Sequence, residues 1–307
     1  MELTIIIGGI IMTEKKKATI TDLEIDLGNY NVKSSVGVIF RSTFEEGEPA
    51  NPLGENSITY NGETYTMEKG TFDNTFNKAN KNYLPNLFYA IIKSSNPECE
   101  DFNLMLGYPL DNESVAQQFK EDLIGQEFKV KYKRGSRETD RTIKIHNVNC
   151  VGESLSSYYT LNANERAEDL IIVDIGGRTT NVSVFQNRRL VDKFTIPLGT
   201  LDVFGDIIKR WNNAKGDNKT VEEAERLIKI EYITGCEVEY KRFLDELMNQ
   251  IEKHLDRKTY KNYFTGGGSE MLKDLIEEYL EPNGTVMDNA ILSNCNGNRE
   301  IAAAIKK

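Results

Sequence analysis

The sequence predicts an α/β protein built from two similar halves, an internal duplication. Three observations predict this. The order strand, hairpin, strand, helix occurs twice, from about residue 20 and from about residue 170. Each copy opens with an apolar strand ending in an aspartate, Asp26 and Asp174, 148 positions apart, with a glycine close behind. The length of 307 residues suits about two domains at ~150 residues each, enough to bury a core without disulfides or structural metal.

The elements follow in order. Leu3 to Met12 is an apolar run followed by Lys15, Lys16 and Lys17. It is shorter than the ~20 apolar residues of a membrane span, and its charges follow the run, where a secretory signal carries them in front. Residues 1–17 therefore read as an N-terminal extension, with Met12 a candidate natural start. Ile20–Leu27 is a strand entering the turn D-L-G-N-Y-N, and Val32–Phe40 continues as a second strand. Asn61-Gly62, between the alternating segments 58–60 and 63–66, is a hairpin signal. Leu84–Lys93 reads as a helix, Asn103–Gly107 as a buried strand, and Asn112 as the cap of a helix to about Leu123. Segments 128–132 and 142–148 pair around Gly135, and 154–162 reads as helical.

The second half opens with Leu170–Asp174, an apolar strand, followed by strands at 181–186 and 190–196. Helices are expected at 201–211, 221–229 and 237–257. The last carries Val238, Phe243, Leu244, Leu247, Met248, Ile251 and Leu255 at three- and four-residue spacing, the stripe of a core-facing helix. A strand over 260–265 enters Thr265-Gly-Gly-Gly-Ser269, a helix over 270–280 follows, and the chain closes with a helix over 299–306.

Composition narrows the function classes. Apolar residues are 39% and charged residues 28%, as in ordinary globular proteins and unlike disordered chains. Lys and Arg number 38 against 48 Asp and Glu, a net charge of −10, which disfavours binding to nucleic acid over most of the surface. Cys99, Cys150, Cys236 and Cys295 are dispersed, and His146 and His254 are the only histidines. No zinc-type spacing exists, and the thiols read as reduced, in a cytoplasmic protein. Cys150 and His146 fall on one alternating strand, which argues against a nucleophilic pair.

The chemistry concentrates in three glycine-rich turns. In Asp26–Lys33, a glycine-rich hairpin lets backbone N–H groups approach phosphate oxygens, and Lys33 adds positive charge. Asp26 would repel phosphate, so its use is to hold a divalent cation through water. Asp174–Asn181 repeats the pattern with Gly176, Gly177, Arg178 and Thr179. Two such hairpins facing each other would grip a polyphosphate from both sides. The third turn, Gly266, Gly267, Gly268 and Ser269, lies between strand and helix, where glycines let backbone lie against a flat base or an α-phosphate and the helix N-terminus favours negative charge.

This ordered set resembles the actin, Hsp70 and sugar-kinase superfamily. Asp26–Lys33 matches its phosphate-one motif, Asp174–Asn181 its phosphate-two motif and Thr265–Ser269 its adenosine motif. Val148–Ser154 resembles the first connecting segment, and Asn289–Asn294 resembles the second loosely, without its usual small-residue Ala-Gly pattern. Within the superfamily the chain looks most like the ParM-type bacterial actins that segregate plasmids, through its length, the I-T-Y-N-G-E-T-Y-T-M hairpin, Leu104–Leu110 and Pro197–Asp202.

The resemblance implies a duplicated actin-like ATPase fold, with a first domain over 18–164 carrying an inserted subdomain at about 41–95. A second domain over 165–290 and a C-terminal helix over 291–307 that returns to the first complete it. It implies ATP, with GTP as the other candidate, and Mg2+ as cofactors, Asp26 and Asp174 holding the metal through water. It implies Gly28 and Asn29 as the first-hairpin residues around the phosphates. Glu153 is the expected catalytic residue beside Asp174, orienting the attacking water; Arg226 and Lys229 are expected to face the nucleotide. The expected partners are the protein itself, as a head-to-tail filament, and a DNA-bound adaptor; direct contact with nucleic acid or membrane is not expected. The alternative is a non-polymerising kinase or phosphatase of the same superfamily.

Overall fold

A computed structural model of the chain describes residues 3–7, 10–14, 19–73, 81–110 and 112–306. Lys15, Lys16 and Lys17 of the N-terminal extension, and residues 74–80 of the inserted segment, lie outside the described residues. Strands β1 (Leu3–Ile7) and β2 (Ile10–Glu14) pair antiparallel as a two-stranded sheet of their own.

The first half is laid on strands β3 (Thr21–Leu27), β4 (Asn31–Ser34), β5 (Ile39–Arg41), β6 (Phe44–Glu46), β7 (Asn56–Tyr60) and β8 (Glu63–Met67). After helix α1 (Leu84–Ser94) come β9 (Asp101–Tyr108), helix α2 (Glu113–Leu123), β10 (Glu127–Arg134) and β11 (Arg137–Gly152). All these strands form one nine-stranded sheet in the order β5-β4-β3-β9-β11-β10-β7-β8-β6. Asn61 and Gly62 both take positive φ, 52° and 83°, the geometry that lets a two-residue turn follow strand twist. The expected strand over 32–40 is broken: Gly37, with φ of 87°, turns the chain between β4 and β5, which pair with each other.

The second half contains β12 (Leu170–Ile175), β13 (Thr180–Gln186), β14 (Arg189–Ile196), helices α3 (Thr200–Lys215), α4 (Ala224–Lys229) and α5 (Glu237–Glu252), β15 (Lys261–Thr265), α6 (Gly266–Met271), α7 (Lys273–Leu280), β16 (Gly284–Val286) and α8 (Ser293–Ile305). Its sheet order is β14-β13-β12-β15-β16. This repeats β5-β4-β3-β9-β11: an antiparallel meander, then two strands parallel to its first. The duplication expected from sequence is thus a shared five-strand topology. β12 is buried along its whole length, as its unbroken apolar run requires of a central strand covered on both faces.

Several elements differ from the sequence reading. The segment after Glu153 forms a 3-10 turn over Ser156–Thr160 in place of an α-helix. α5 stops at Glu252, because the Asp256 side chain accepts from the Lys258 N–H and starts a separate turn, an alternative partner for the backbone. Val238 is 65% exposed and lies outside the core-facing stripe, whereas Leu255 still packs on the core. β16 is too short to show alternation. α8 begins at Ser293, six residues before the expected start: its Ser-Asn-Cys-Asn-Gly opening has poor helix propensity, and packing against Ser156–Thr160, β3 and β9 overrides it. Two principal cores result, one under each sheet, and Phe72 of the first half is buried in the core of the second.

Candidate functional site

β3 and β12 present Asp26 and Asp174 at equivalent strand ends, and the cross-strand neighbours determine their charge environments. Asp26 pairs in register with Lys33, whose Nζ lies 2.9 Å from Asp26 Oδ2. The corresponding neighbour of Asp174 is Asn181. That amide turns to Glu153 instead, its Nδ2 donating to Oε2 at 3.0 Å, while its Oδ1 accepts from Thr195 Oγ1 at 2.9 Å. Asp174 Oδ2 accepts from Asn294 Nδ2 at 2.7 Å.

Asp26, Glu153 and Asp174 are 3%, 9% and 5% exposed. A Cβ on Gly107 would lie 3.5 Å from Glu153 Cγ and 3.8 Å from Asp26 Oδ1, so Gly107 adjoins both carboxylates. Burial raises the Asp174 pKa from 3.8 to about 6; Lys33 draws it down and Glu153 and Asp26 push it up. Burial works against the Lys33 ammonium, but Asp26 and Asp174 outweigh it and hold the pKa above the ordinary range.

Beside this cluster, bordered by its Lys33, lies a small cleft between the hairpins and helix α6. Lys33, Gly176, Gly177, Gly267 and Gly268 line it. Gly177 belongs to the point where the two hairpins touch: a Cβ there would lie 2.6 Å from Tyr30 Cβ. Ile175, Met271 and Ile291 form an apolar part of the wall, suited to a flat ring. The Thr265–Ser269 turn is helical from Gly266 onward, contrary to the loop expected. Gly266 has φ of 85°, and its missing Cβ would meet Asp174 Oδ1 at 2.3 Å, so this turn packs directly on the second carboxylate. Ser269 is fully buried and bonds back to the Thr265 carbonyl, a role inside its own helix.

Gly28, Asn29, Arg178, Thr179, Arg226 and Lys229, also expected at the site, are not among the residues that line the cleft. Gly28 holds the first turn, where a Cβ would meet the Asn31 carbonyl at 2.5 Å, and Asn29 accepts from Lys81. Gly176 N–H donates to the Thr179 carbonyl at 3.0 Å, closing the second turn around half-buried Arg178. Arg226 and Lys229 are exposed, and Arg226 pairs with Glu223 at 3.5 Å. The α4 side chain that lines the cleft is Glu225.

Sequence reasoning missed an aromatic and charged group that joins the two halves beside the cleft, through Tyr30, Phe204 and Glu225 of its wall. Tyr30 stacks on Phe72 at 4.9 Å and lies against Phe204 of α3. Arg41 covers the Tyr30 and Phe72 rings, donates to the Glu222 carbonyl and approaches Glu225 at 3.7 Å. Tyr30 also donates to Glu225. It missed a close crossing as well: a Cβ on Gly297 would lie 1.9 Å from the Ser156 carbonyl oxygen. Only glycine lets α8 pack so closely on the Ser156–Thr160 turn.

The Cys150–His146 pair is absent. His146 faces Asp101 at 2.7 Å, and burial pushes the Cys150 thiol up to about 11. All four cysteines are free, with Cys236 and Cys295 buried. Among the described residues, no three His, Cys, Asp or Glu side chains converge to coordinate a metal directly, and no helix is long and apolar enough to cross a membrane.

Residues 172–278 match the family model for the C-terminal part of the archaeal actin homologue MreB-like. None of the curated proteins compared matches the chain. Among solved structures, the archaeal actin homologue Ta0583 superposes with a TM-score of 0.77 at 18% identity, over 93% of this chain and 100% of that one. Its complex with ADP superposes with a TM-score of 0.77 at 17% identity, over the same shares, 93% and 100%. A 15-stranded ParM filament from Clostridium botulinum gives a TM-score of 0.75 at 17% identity, over 92% and 99%.

Proposed function

We propose, from the actin-like fold that this chain has, that it is a polymerising ATPase whose filaments segregate plasmid DNA through a DNA-bound adaptor. The observation that carries the ATPase reading is the meeting of two duplicated carboxylate–glycine hairpins at one cleft, with Glu153 held by Asn181 beside them. The ParM filament and the ADP complex of Ta0583 support polymerisation and an adenine nucleotide.

The geometry supports the following roles. Lys33 and the backbone of the hairpin turns neutralise and orient the phosphates; the apolar wall at Met271 and Ile291 receives the base. Three carboxylates against one buried ammonium leave the cluster net negative, which fits a divalent cation such as Mg2+. Asp26 and Asp174 would hold it through water, since direct ligand geometry is lacking. Bound there, the cation supplies charge neutralisation for the phosphates. Glu153, oriented by Asn181, positions the attacking water, which in phosphoryl transfer is the main demand on the protein. Head-to-tail addition of subunits that does not close into a ring gives an open filament, and phosphate loss weakens it.

Sedimentation and right-angle light scattering of tens of micromolar protein test the proposal. Pelleting with ATP–magnesium and with a non-hydrolysable analogue, and decay of scattering as ATP is consumed, are expected. Protein that stays in the supernatant under both conditions while hydrolysing ATP or phosphorylating a small substrate overturns the polymer reading in favour of a soluble phosphotransferase.

A further inference from the structure

Asn294 lies in the first turn of α8 and is 5% exposed. Its amide faces two different elements. Nδ2 donates to Asp174 Oδ2 at 2.7 Å. Oδ1 accepts from Ser154 N–H at 3.1 Å, Ser156 Oγ at 3.2 Å and Ser157 Oγ at 2.8 Å. Ser154 directly follows Glu153 and holds a φ of 66°, a left-handed conformation that a non-glycine residue keeps only under surrounding constraint. Its hydroxyl is tied to Ser183 Oγ at 2.6 Å. Asparagine has poor helix propensity, so the helix itself does not favour it; the planar amide does, because one rigid group fixes both the carboxylate of hairpin two and the turn that carries Glu153.

We propose that Asn294 is a positioning residue of the nucleotide site, setting the spacing between Asp174, on the cation side, and Glu153, on the water side. The proposal rests on the ATPase reading above. Asn294 touches neither nucleotide nor water in this scheme; it acts through the two carboxylates. It also explains why Asn294 stands in the first turn of α8 at the crossing where Gly297 admits the 156–157 backbone: the close approach brings both serine hydroxyls within reach of one acceptor.

The test compares wild type, Asn294→Ala, Ser157→Ala, the double variant and Leu123→Ala, a core truncation remote from the site. The readouts are a melt, phosphate release, and calorimetric ATP affinity as a function of magnesium. Asn294→Ala is expected to lower kcat about tenfold or more, with KM changed under about threefold, and to raise severalfold the magnesium needed for half-maximal ATP binding. Ser157→Ala is expected to lower kcat by less, and to add nothing in the Asn294→Ala background, as shared action through one contact requires. Leu123→Ala is expected to lose melting temperature while keeping kcat per folded molecule and magnesium dependence. Asn294→Ala behaving like Leu123→Ala overturns the proposal. Should Asn294→Ala fail to fold, unchanged kcat and magnesium dependence in Ser157→Ala overturn it instead. A wild type that binds no ATP and releases no phosphate refutes the ATPase reading itself, a distinct outcome.

Discussion

Asp174 is expected to serve function at the expense of stability, and the substitution Asp174→Asn measures by how much. Burial is the main force raising its pKa from 3.8 to about 6, with Lys33 opposing and Glu153 and Asp26 adding to it. A carboxyl that holds its proton more tightly in the native chain than in the unfolded one contributes fully to stability below about 3.8. That contribution is lost as pH rises through about 6. At ~1.4 kcal/mol per pH unit, the gap is on the order of 3 kcal/mol above pH 7, an upper bound because the amide also alters the contacts with Lys33 and Asn294. Asp174→Asn keeps an oxygen to accept from Asn294 and removes the buried charge. Nucleotide-free, magnesium-free protein should therefore melt higher than wild type at pH 8, by up to about 5 °C for a chain of this size, and the gain should roughly halve at pH 5. The same variant should lose magnesium-dependent ATP affinity in calorimetry. A variant that melts at or below wild type at pH 8, with no pH dependence of the difference, would refute the claim that this carboxylate is held against its own desolvation.

Other outcomes follow from the same geometry. Glu153→Ala should bind ATP and assemble while phosphate release falls on the order of a hundredfold, the scale of a positioned acid–base or water-orienting group; filaments should then persist in light scattering, and wild-type release would reduce Glu153 to a turn residue. Gly297→Ala should lower stability by roughly 1–3 kcal/mol in denaturant melts, although Gly→Ala in a helix ordinarily stabilises, because the new methyl would lie 1.9 Å from the Ser156 carbonyl oxygen. Arg41→Ala, which removes the cap over Tyr30 and Phe72 and the contacts to Glu222 and Glu225, should speed release of a fluorescent ATP analogue severalfold, on the basis of ~1 kcal/mol for such exposed contacts; an unchanged off-rate would count against a role for this group in retaining nucleotide.

What the sequence made legible was local. Asp26, Gly28 and Lys33, or Asp174, Gly176 and Gly177, lie within one hairpin, so turn chemistry and strand alternation are enough to find them. Glu153 needed the resemblance, since nothing near it announces a partner 28 positions away at Asn181. The group beside the cleft was out of reach for the same reason: Tyr30, Arg41, Phe72 and Glu225 come from four segments joined only by tertiary packing. α4 shows where pattern fails at single-residue resolution. Glu225, Arg226 and Lys229, with Glu222 and Glu223 of the turn before it, offer charge on every side, and only the burial of Ala224 and Leu227 turns Glu225, and neither Arg226 nor Lys229, to the cleft.

The two hairpins share strand order and spacing, yet the site they form is asymmetric, and the cause is a single cross-strand position. Lys33 and Asn181 occupy equivalent places opposite Asp26 and Asp174. In the first hairpin a lysine neutralises its aspartate at 2.9 Å, leaving a fixed positive head that also lines the cleft. In the second, an asparagine has no charge to give. Its donor is spent on Glu153, and Asp174 is left to Asn294 from another element. A second lysine there would add a cation to the cluster and would leave Glu153 without its amide. The duplication therefore provides two carboxylates in matching backbones, and the divergence of one neighbour gives them different surroundings: Asp26 is half of an ion pair, and Asp174 is the buried member whose proton is held more tightly than an ordinary aspartate's.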